Sequence, residues 1–445
     1  VSEAFGVQIL IRGGTLVTCD REDRVLLGDV LVRGRDIVAV GGTSAGGMTR
    51  VIDARGCAVI PGLIQAHVHL AQTLMRGMAD DLPLLQWLRT RVWPLEAAHD
   101  EATLSASAEL GLAEAMLGGT TTLLDMGTVH AHDAVMDACV RAGARVISGK
   151  AMMDRGEDVP PRLLESTAAS LVESERLAAR WRGAGGGRIG YAWSPRFVLS
   201  CSEKLARGVV ERAGERGDLV HTHAAEHFEE RQAVRNVLGD DDVAILRRWG
   251  IAGPRAVLAH GVQLRIAEAR AVARDGTRIV HCPSANLKLG SGIARVAMLD
   301  RLGVALAIGA DGAPCNNNLD VWTELRHAAL LAKVRGGPSS IPAKRALRLA
   351  TIDGARALGL DKVVGSIEPG KRADLAIVRV DGAHAEPGGD VFSRLVYACG
   401  ARDVVHVLVD GALVVKHGEH QLLDVERVKA RARAMARRLL ARAKL

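Results

Sequence analysis

The chain has 445 residues, of which 24% are charged and 48% hydrophobic, a balance that excludes global disorder. Aromatic residues are scarce at 3%, so the core must be built mainly from Leu, Val, Ile and Ala. The net charge of +7, from 58 Lys and Arg against 51 Asp and Glu, raises the question of an anionic partner such as nucleic acid. Short alternating strands open the chain, at 7–12, 15–19, 30–33 and 37–40, with Gly13-Gly14 read as a turn. From residue 58 the pattern changes to eight apolar runs: 58–69, 120–127, 145–152, 188–193, 218–226, 256–261, 278–283 and 304–311. Helical stretches separate them, such as 101–117 and 202–216, and the Gly-rich 183–187 reads as a linker. Eight strand-helix repeats over about 300 residues predict an α/β fold, a closed (β/α)8 TIM-like barrel, ahead of a doubly wound open sheet. The segments 373–379, 404–409 and 413–415 repeat the texture of the start. The two chain ends are therefore expected to pair into a small β-sandwich domain. The expected division is 1–58 with 367–425 for that composite domain, 59–366 for the barrel, and 426–445 for a basic C-terminal helix.

The seven cysteines, at 19, 57, 139, 201, 282, 315 and 399, are odd in number and form no C-x-x-C pair. That argues against a disulfide framework or a cysteine zinc cluster and for a reducing, cytoplasmic compartment. No apolar run approaches the roughly 18 residues of a membrane span, and no membrane partner is expected. Residues 1–14 lack the basic and apolar segments of a signal peptide.

In a barrel of this kind functional side chains gather where the strands end. The first run ends in His67-Val68-His69, and the fifth ends in His221-Thr222-His223 and continues to Glu226. The sixth ends in His260, the seventh leads out through His281, and the eighth ends in Asp311. Six of the 15 histidines thus fall at run ends. On a strand, residues i and i+2 share a face, so His67 and His69 suit two nitrogen ligands of one metal. His223 and Asp311 would complete a mixed shell for Zn²⁺ or another divalent first-row ion. One position stays open for water, whose pKa such an ion lowers to about 7. Spacing alone leaves both His221 and His223 open as the third nitrogen ligand. His130 and His132 form another H-x-H, but in a loop, and read as solvated or near the pocket. A lone histidine is usually structural; the joint placement of His260 and His281 at strand ends is what singles them out.

The stretch Pro61-Gly62-Leu63-Ile64-Gln65-Ala66-His67-Val68-His69 resembles the first barrel strand of the amidohydrolase superfamily. His223-Ala-Ala-Glu226, Leu258-Ala-His260, His281-Cys-Pro-Ser-Ala-Asn286-Leu-Lys-Leu and Gly309-Ala-Asp311-Gly are similar to the same family. Residues 365–375 resemble its return into the small β-domain, and the likeness spans about residues 9–418. The branch it resembles holds aminohydrolases of nucleosides, purines and related rings, together with s-triazine hydrolases. The resemblance implies one divalent metal per chain, Zn²⁺ ahead of Fe²⁺ or Mn²⁺, on His67, His69, His223 and Asp311, with His221 a non-ligand. It implies Glu226 as general acid/base, His260 orienting the water or the tetrahedral oxygen, and His281 near the leaving group, with Asp311 also polarising the water. A single metal is implied because no carboxylated lysine is indicated at the end of the fourth run. The reaction implied is hydrolytic deamination of an amino-substituted ring with release of ammonia, and a homo-oligomer is the expected assembly.

For the ring itself the signals divide. Residues 311–320 and 286–289 resemble deaminases of adenosine-type nucleosides, including 5′-deoxyadenosine, methylthioadenosine and S-adenosylhomocysteine. Gln72, Ser194-Pro-Arg196-Phe197 and residues 81–87 resemble guanine deaminases instead. Trp87 and Glu96 match positions shared by both groups. Arg196 offers a fork of donors, Gln72 can donate and accept at once, and Phe197 or Trp87 can stack on a ring. The plainer reading makes Trp87 core and pairs Arg196 with a nearby acid. The substrate-binding set is thus Gln72, Trp87, Glu96, Arg196 and Phe197. The substrate expected is a small heteroaromatic molecule: an adenosine-type nucleoside ahead of guanine, a pterin or an s-triazine.

Eight basic residues and no acid lie between Arg427 and Leu445, and without them 50 basic residues stand against 51 acidic ones. This tail has no aromatic residue for base stacking, so it reads as a solvated basic helix and not as a nucleic-acid surface. Gly365-x-x-x-x-Gly370-Lys371-Arg372 approaches a P-loop but lacks its Ser or Thr and leads into a strand.

Overall fold

A computed structural model describes residues 8–42 and 49–445; Val7, the expected start of the first strand, lies outside them. Eight parallel strands run in sequence order around a nearly closed barrel: β1 (Leu63–Val68), β2 (Thr120–Met126), β3 (Arg145–Gly149), β4 (Ile189–Pro195), β5 (Leu219–Ala224), β6 (Ala256–His260), β7 (Arg278–His281) and β8 (Ala305–Ile308). A parallel bridge from Val68 to Asp311 brings the last strand's exit back to the first. The strands read as continuous apolar runs because both of their faces are covered. Alternation still sorts the faces: Ile147, Val257, Val280 and Ala307 point into the barrel, while Val146, Leu258, Ile279 and Leu306 pack on the helices.

Two strands place the chemistry. In β5 the inward set is Leu219, His221 and His223, with Val220 and Ala224 facing outward. In β1, Ile64 and Ala66 face inward, and a register shift between Gln65 and Val68 adds one residue, which turns His67 and His69 inward as well. The run 58–69 is therefore two strands. Cys57–Pro61 belongs to the small domain, and the chain crosses to β1 at Gly62, where a Cβ would lie 2.2 Å from Thr121 Cγ2.

Strands from both chain ends form a separate sheet, as expected, joined by one continuous path of strand pairings. Cys57–Pro61 joins them, parallel to Gln8–Val17 and antiparallel to Leu375–Arg379. Val59, Leu375, Ile377 and Leu408 fill the small domain's core, and their neighbours Ala58, Ile60, Ala376, Val378 and Val407 pack toward the barrel. Gly13-Gly14 is not a turn. The strand runs through it, and a bulge with Gly13 at φ +73° absorbs one extra residue between Ile11 and Gly14. Residues 183–187 form a tight turn with four left-handed glycines between helix Thr167–Trp181 and β4.

Helix Glu101–Leu117 starts at a capping box in which the Asp100 side chain accepts from Thr103 N at 3.0 Å. Ser202 caps helix Glu203–Arg216 in the same way. The C-terminal helix, Val425–Ala443, is not solvated as expected. Val428, Ala432 and Leu439 are buried along one face, and Ala432 and Leu439 join Leu74, Met75, Leu95 and Ala98 in one cluster. Its arginines also pair inward: Arg431 Nη1 lies 2.6 Å from Glu109 Oε2, and Arg442 Nη1 2.9 Å from Asp100 Oδ2. Among the described residues no helix is long and apolar enough to cross a membrane.

Candidate active site

His67, His69, His223 and Asp311 meet at the C-terminal mouth of the barrel. His67 Nε2 and His69 Nε2 lie 3.2 and 3.3 Å from Asp311 Oδ1, and His69 Nε2 lies 3.2 Å from His223 Nε2. The donor atoms of His67, His223, Asp311 and also His260 all fall within 4.8 Å of one another. β8 ends at Ile308, short of the expected 311. Asp311 reaches the site because Gly309 presses against β1, where a Cβ would sit 2.4 Å from the His67 carbonyl oxygen. Asp311 N then donates to that same oxygen at 3.1 Å, and Asp311 takes φ +64°.

The tautomers bear directly on whether a cation fits. His69 Nδ1 donates to Met126 O at 2.9 Å and His223 Nδ1 to Arg196 O at 2.8 Å. A carbonyl can only accept, so each Nδ1 carries the proton and each Nε2 presents a lone pair. Two lone pairs facing at 3.2 Å repel unless a cation lies between them. His67 Nε2 is likewise buried without a hydrogen-bond partner. Burial, followed by the charge of neighbouring His67, holds His69 down to about 3, and burial also lowers His67 and His223. The donor set is therefore neutral imidazoles and a carboxylate, which fits a divalent metal ion. His221 lies one layer deeper, its Nε2 2.8 Å from His67 Nδ1, and so supports a ligand without joining the cluster.

Glu226 and His260 stand beside this cluster. His260 Nδ1 donates to Asn286 Oδ1 at 2.9 Å, and its Nε2 lies 3.4 Å from Glu226 Oε2 and 3.8 Å from Asp311 Oδ2. Burial, and after it the Asp311 charge, push Glu226 well above the usual carboxylate range. His260 and Ala225 adopt φ +77° and +52°, and three left-handed non-glycine residues around one site mark backbone held by its surroundings. His281 is also buried at the end of β7, with Nδ1 unpartnered and held down to about 3 by burial and then by His260, but it does not line the cavity. His132 precedes helix Asp133–Ala142 without capping it, its Nε2 3.0 Å from Ser148 Oγ, and His130 is exposed; neither lines the cavity.

A partly open cavity lies over the cluster. Gln72, Trp87, Arg196 and Phe197 all line it with His69, His223, Glu226, His260 and Asp311. Glu96 stands behind this wall. Arg196 binds it through both arms, at 2.5 and 3.1 Å, and Gln72 Nε2 donates to it at 2.8 Å. Arg196 thus satisfies both readings at once: it pairs with an acid and faces the cavity. Gln72 Oε1 and Trp87 Nε1 are buried without partners, one acceptor and one donor left for a ligand. Two lining residues, Leu88 and Glu230, escaped the sequence reading, and a third, Leu84, lies in the stretch 81–87. Leu84 and Leu88 share a helical face at i, i+4. Glu230, four residues after Glu226, also accepts from His227 N at 3.5 Å.

The family model of the amidohydrolase family matches residues 58–414, and the chain belongs to that family. Within it, a 5-methylthioadenosine/S-adenosylhomocysteine deaminase of Halobacterium salinarum is 39% identical over 419 residues, which cover 94% of this chain and 95% of that protein. A 5′-deoxyadenosine deaminase of Methanothermobacter thermautotrophicus is 37% identical over 414 residues, covering 93% and 95%. The crystal structure of an adenosine deaminase from Xanthomonas campestris with bound zinc superposes with a TM-score of 0.92 at 32% identity, over 98% of this chain and 99% of that one.

Proposed function

We propose that the protein is a metal-dependent hydrolytic deaminase that converts the amino-bearing ring carbon of an adenosine-type nucleoside to a carbonyl and releases ammonia. The observation that carries this reading is the meeting of Glu226 and His260 with the His67–His69–His223–Asp311 donors at one cavity. Those four residues would hold one divalent ion, Zn²⁺ in the first place; the zinc bound by the Xanthomonas deaminase supports that choice. When bound, such an ion lowers the pKa of a water to about 7 and polarises the substrate. Glu226 takes the proton of the attacking water, passes it to a ring nitrogen, and then assists departure of the amine. Its burial raises its proton affinity, which suits a base that must hold a proton between those two transfers. His260 keeps its Nδ1 proton on Asn286, so its Nε2 accepts from the water and orients it. Water and substrate balance product and ammonia, with no other co-reactant.

The names of the relatives support the adenosine-type substrate. A guanine-type base is the second reading, favoured by Gln72, Arg196 and Phe197 together on the cavity wall. Seven free cysteines suit a reducing, cytoplasmic compartment. Ammonia release should be measured over methylthioadenosine, 5′-deoxyadenosine, adenosine, guanine, a pterin and an amino-s-triazine. Turnover of guanine alone selects the second reading, and no ammonia from any of these rings overturns both. Glu226→Gln should abolish turnover while metal content stays at the wild-type level; retained turnover would refute the role given to Glu226.

A further inference from the structure

Far along the chain from the catalytic donors, a second set of mixed metal-ligating side chains comes together around the small sheet. His384 lies in the loop after strand Leu375–Arg379. Cys399 follows the helical turn Arg394–Ala398, and Asp403 ends the turn Ala401–Asp403 that leads into strand Val404–Val409. One donor atom from each lies within 4.8 Å of the other two. His384 Nε2 is 3.1 Å from Asp403 Oδ1. The other carboxylate oxygen, Oδ2, accepts Gly400 N at 2.9 Å and lies 3.9 Å from Arg402 Nε. Cys399 Sγ has one weak contact, 3.7 Å to Arg379 O. The Asp403 side chain is 7% exposed and that of His384 32%, so the group sits at the surface with its carboxylate sunk beneath.

These separations can be set against a tetrahedral ion. Zn–N and Zn–O bonds near 2.0–2.2 Å place adjacent N and O ligands about 3.3 Å apart, and a Zn–S bond near 2.3 Å places S and N about 3.6 Å apart. The observed N–O spacing and the 4.8 Å limit on the other pairs let all three atoms close on one centre with small side-chain movements. The combination of thiol, imidazole and carboxylate selects Zn²⁺-like ions over Mg²⁺ or Ca²⁺. The plainer alternative is a His384–Asp403 ion pair with a cysteine beside it. Arg402 is a competing cation, but its side chain is 73% exposed and free to swing away.

We propose that His384, Cys399 and Asp403 form a second divalent-metal site of Zn²⁺ type, separate from the catalytic centre, with a fourth position for water. It staples the loop carrying His384 to the entry of strand Val404–Val409. A bound ion would hold Cys399 as the thiolate, which a His384–Asp403 ion pair alone does not require.

The test uses the full chain with its catalytic metal loaded, titrated with Cd²⁺ and separately with Zn²⁺. Cd²⁺ should produce the ultraviolet sulfur-to-metal charge-transfer band in the wild type, and Cys399→Ser should lose it. The other six cysteines are buried, and the serine variant controls for them. With Zn²⁺, the wild type should hold one ion per chain more than Cys399→Ser or His384→Ala. That difference is independent of how many ions the catalytic centre holds. Ammonia release should be equal in all three proteins. A band that persists in Cys399→Ser, no band in the wild type, or equal metal content across the three would overturn the proposal.

Discussion

The Glu96–Arg196 pair separates a structural role from a substrate role in one experiment. Both side chains are nearly fully buried, at 4% and 5% exposure, and the contact is two-armed. Glu96→Gln removes the anion and leaves a buried guanidinium uncompensated, at a cost of about 3–5 kcal/mol. Glu96→Leu combined with Arg196→Met removes both charges, and this double variant should fall within about 2 kcal/mol of wild type, since a buried pair roughly balances its own desolvation. Activity should follow the opposite order of logic. If Arg196 also donates to the bound ring, losing a charge-assisted hydrogen bond of about 1.5–3 kcal/mol lowers kcat/KM by about ten- to 150-fold, and the stable double variant cannot recover it. Urea unfolding reads the first quantity and ammonia release the second. A double variant as unstable as the single one would refute the desolvation argument. A double variant with wild-type kcat/KM would refute the place of Arg196 against the substrate.

Leu439→Ala empties a fully buried position between the C-terminal helix and Leu74, Met75 and Leu95; it should cost about 2–5 kcal/mol in urea unfolding, and an unchanged midpoint would show that the helix is not docked. Dialysis against a chelator should abolish ammonia release and added Zn²⁺ should restore it; activity that survives with metal absent by elemental analysis would exclude the proposed chemistry. Burial holds His99 down to about 4 from its ordinary value near 6.5. The unfolded chain therefore binds a proton between those values that the folded chain does not, so this contribution is complete above pH 6.5 and is lost as pH falls toward 4. Its full size is about 3 kcal/mol. Urea midpoints at pH 7.5 and 5 should differ less in His99→Gln than in wild type, and equal pH slopes would rule this source out.

The barrel was legible because a strand covered on both faces leaves an apolar run that no exposed segment imitates, and eight of them recur in order. The boundaries were harder to read where one glycine redirects the chain. Gly62 divides a run that looks continuous, and Gly13 looks like a turn although its strand only bulges. The H-x-H at 67 and 69 was read correctly as two inward residues, but the spacing does not reveal the bulge that makes it so: Ala66 also faces inward. His221 and His223 share one face of β5, and depth along the strand, which sequence does not encode locally, separates the supporting residue from the one in the cluster. His281 carries the same strand-end signal as His260, yet only His260 reaches the cavity.

The charge asymmetry follows the same logic. Eight basic residues at the end of a nearly neutral chain suggest a solvated tail when they are counted by sign. Spacing carries the contrary signal: Val428, Ala432 and Leu439 recur at i, i+4 and i+11, one stripe of a helix, and the arginines flank it. Arg431 and Arg442 then meet Glu109 and Asp100, acids from the helix Glu101–Leu117 and its cap. Surface pairs of this kind are each worth little, so the buried stripe supplies the docking energy and the charges fix its register. The cluster it closes contains Leu74 and Met75, from the same helical turn as Gln72, and Leu95, adjoining Glu96. Part of the positive charge that first suggested an anionic partner thus meets acids of the same chain, next to the wall that would hold the substrate.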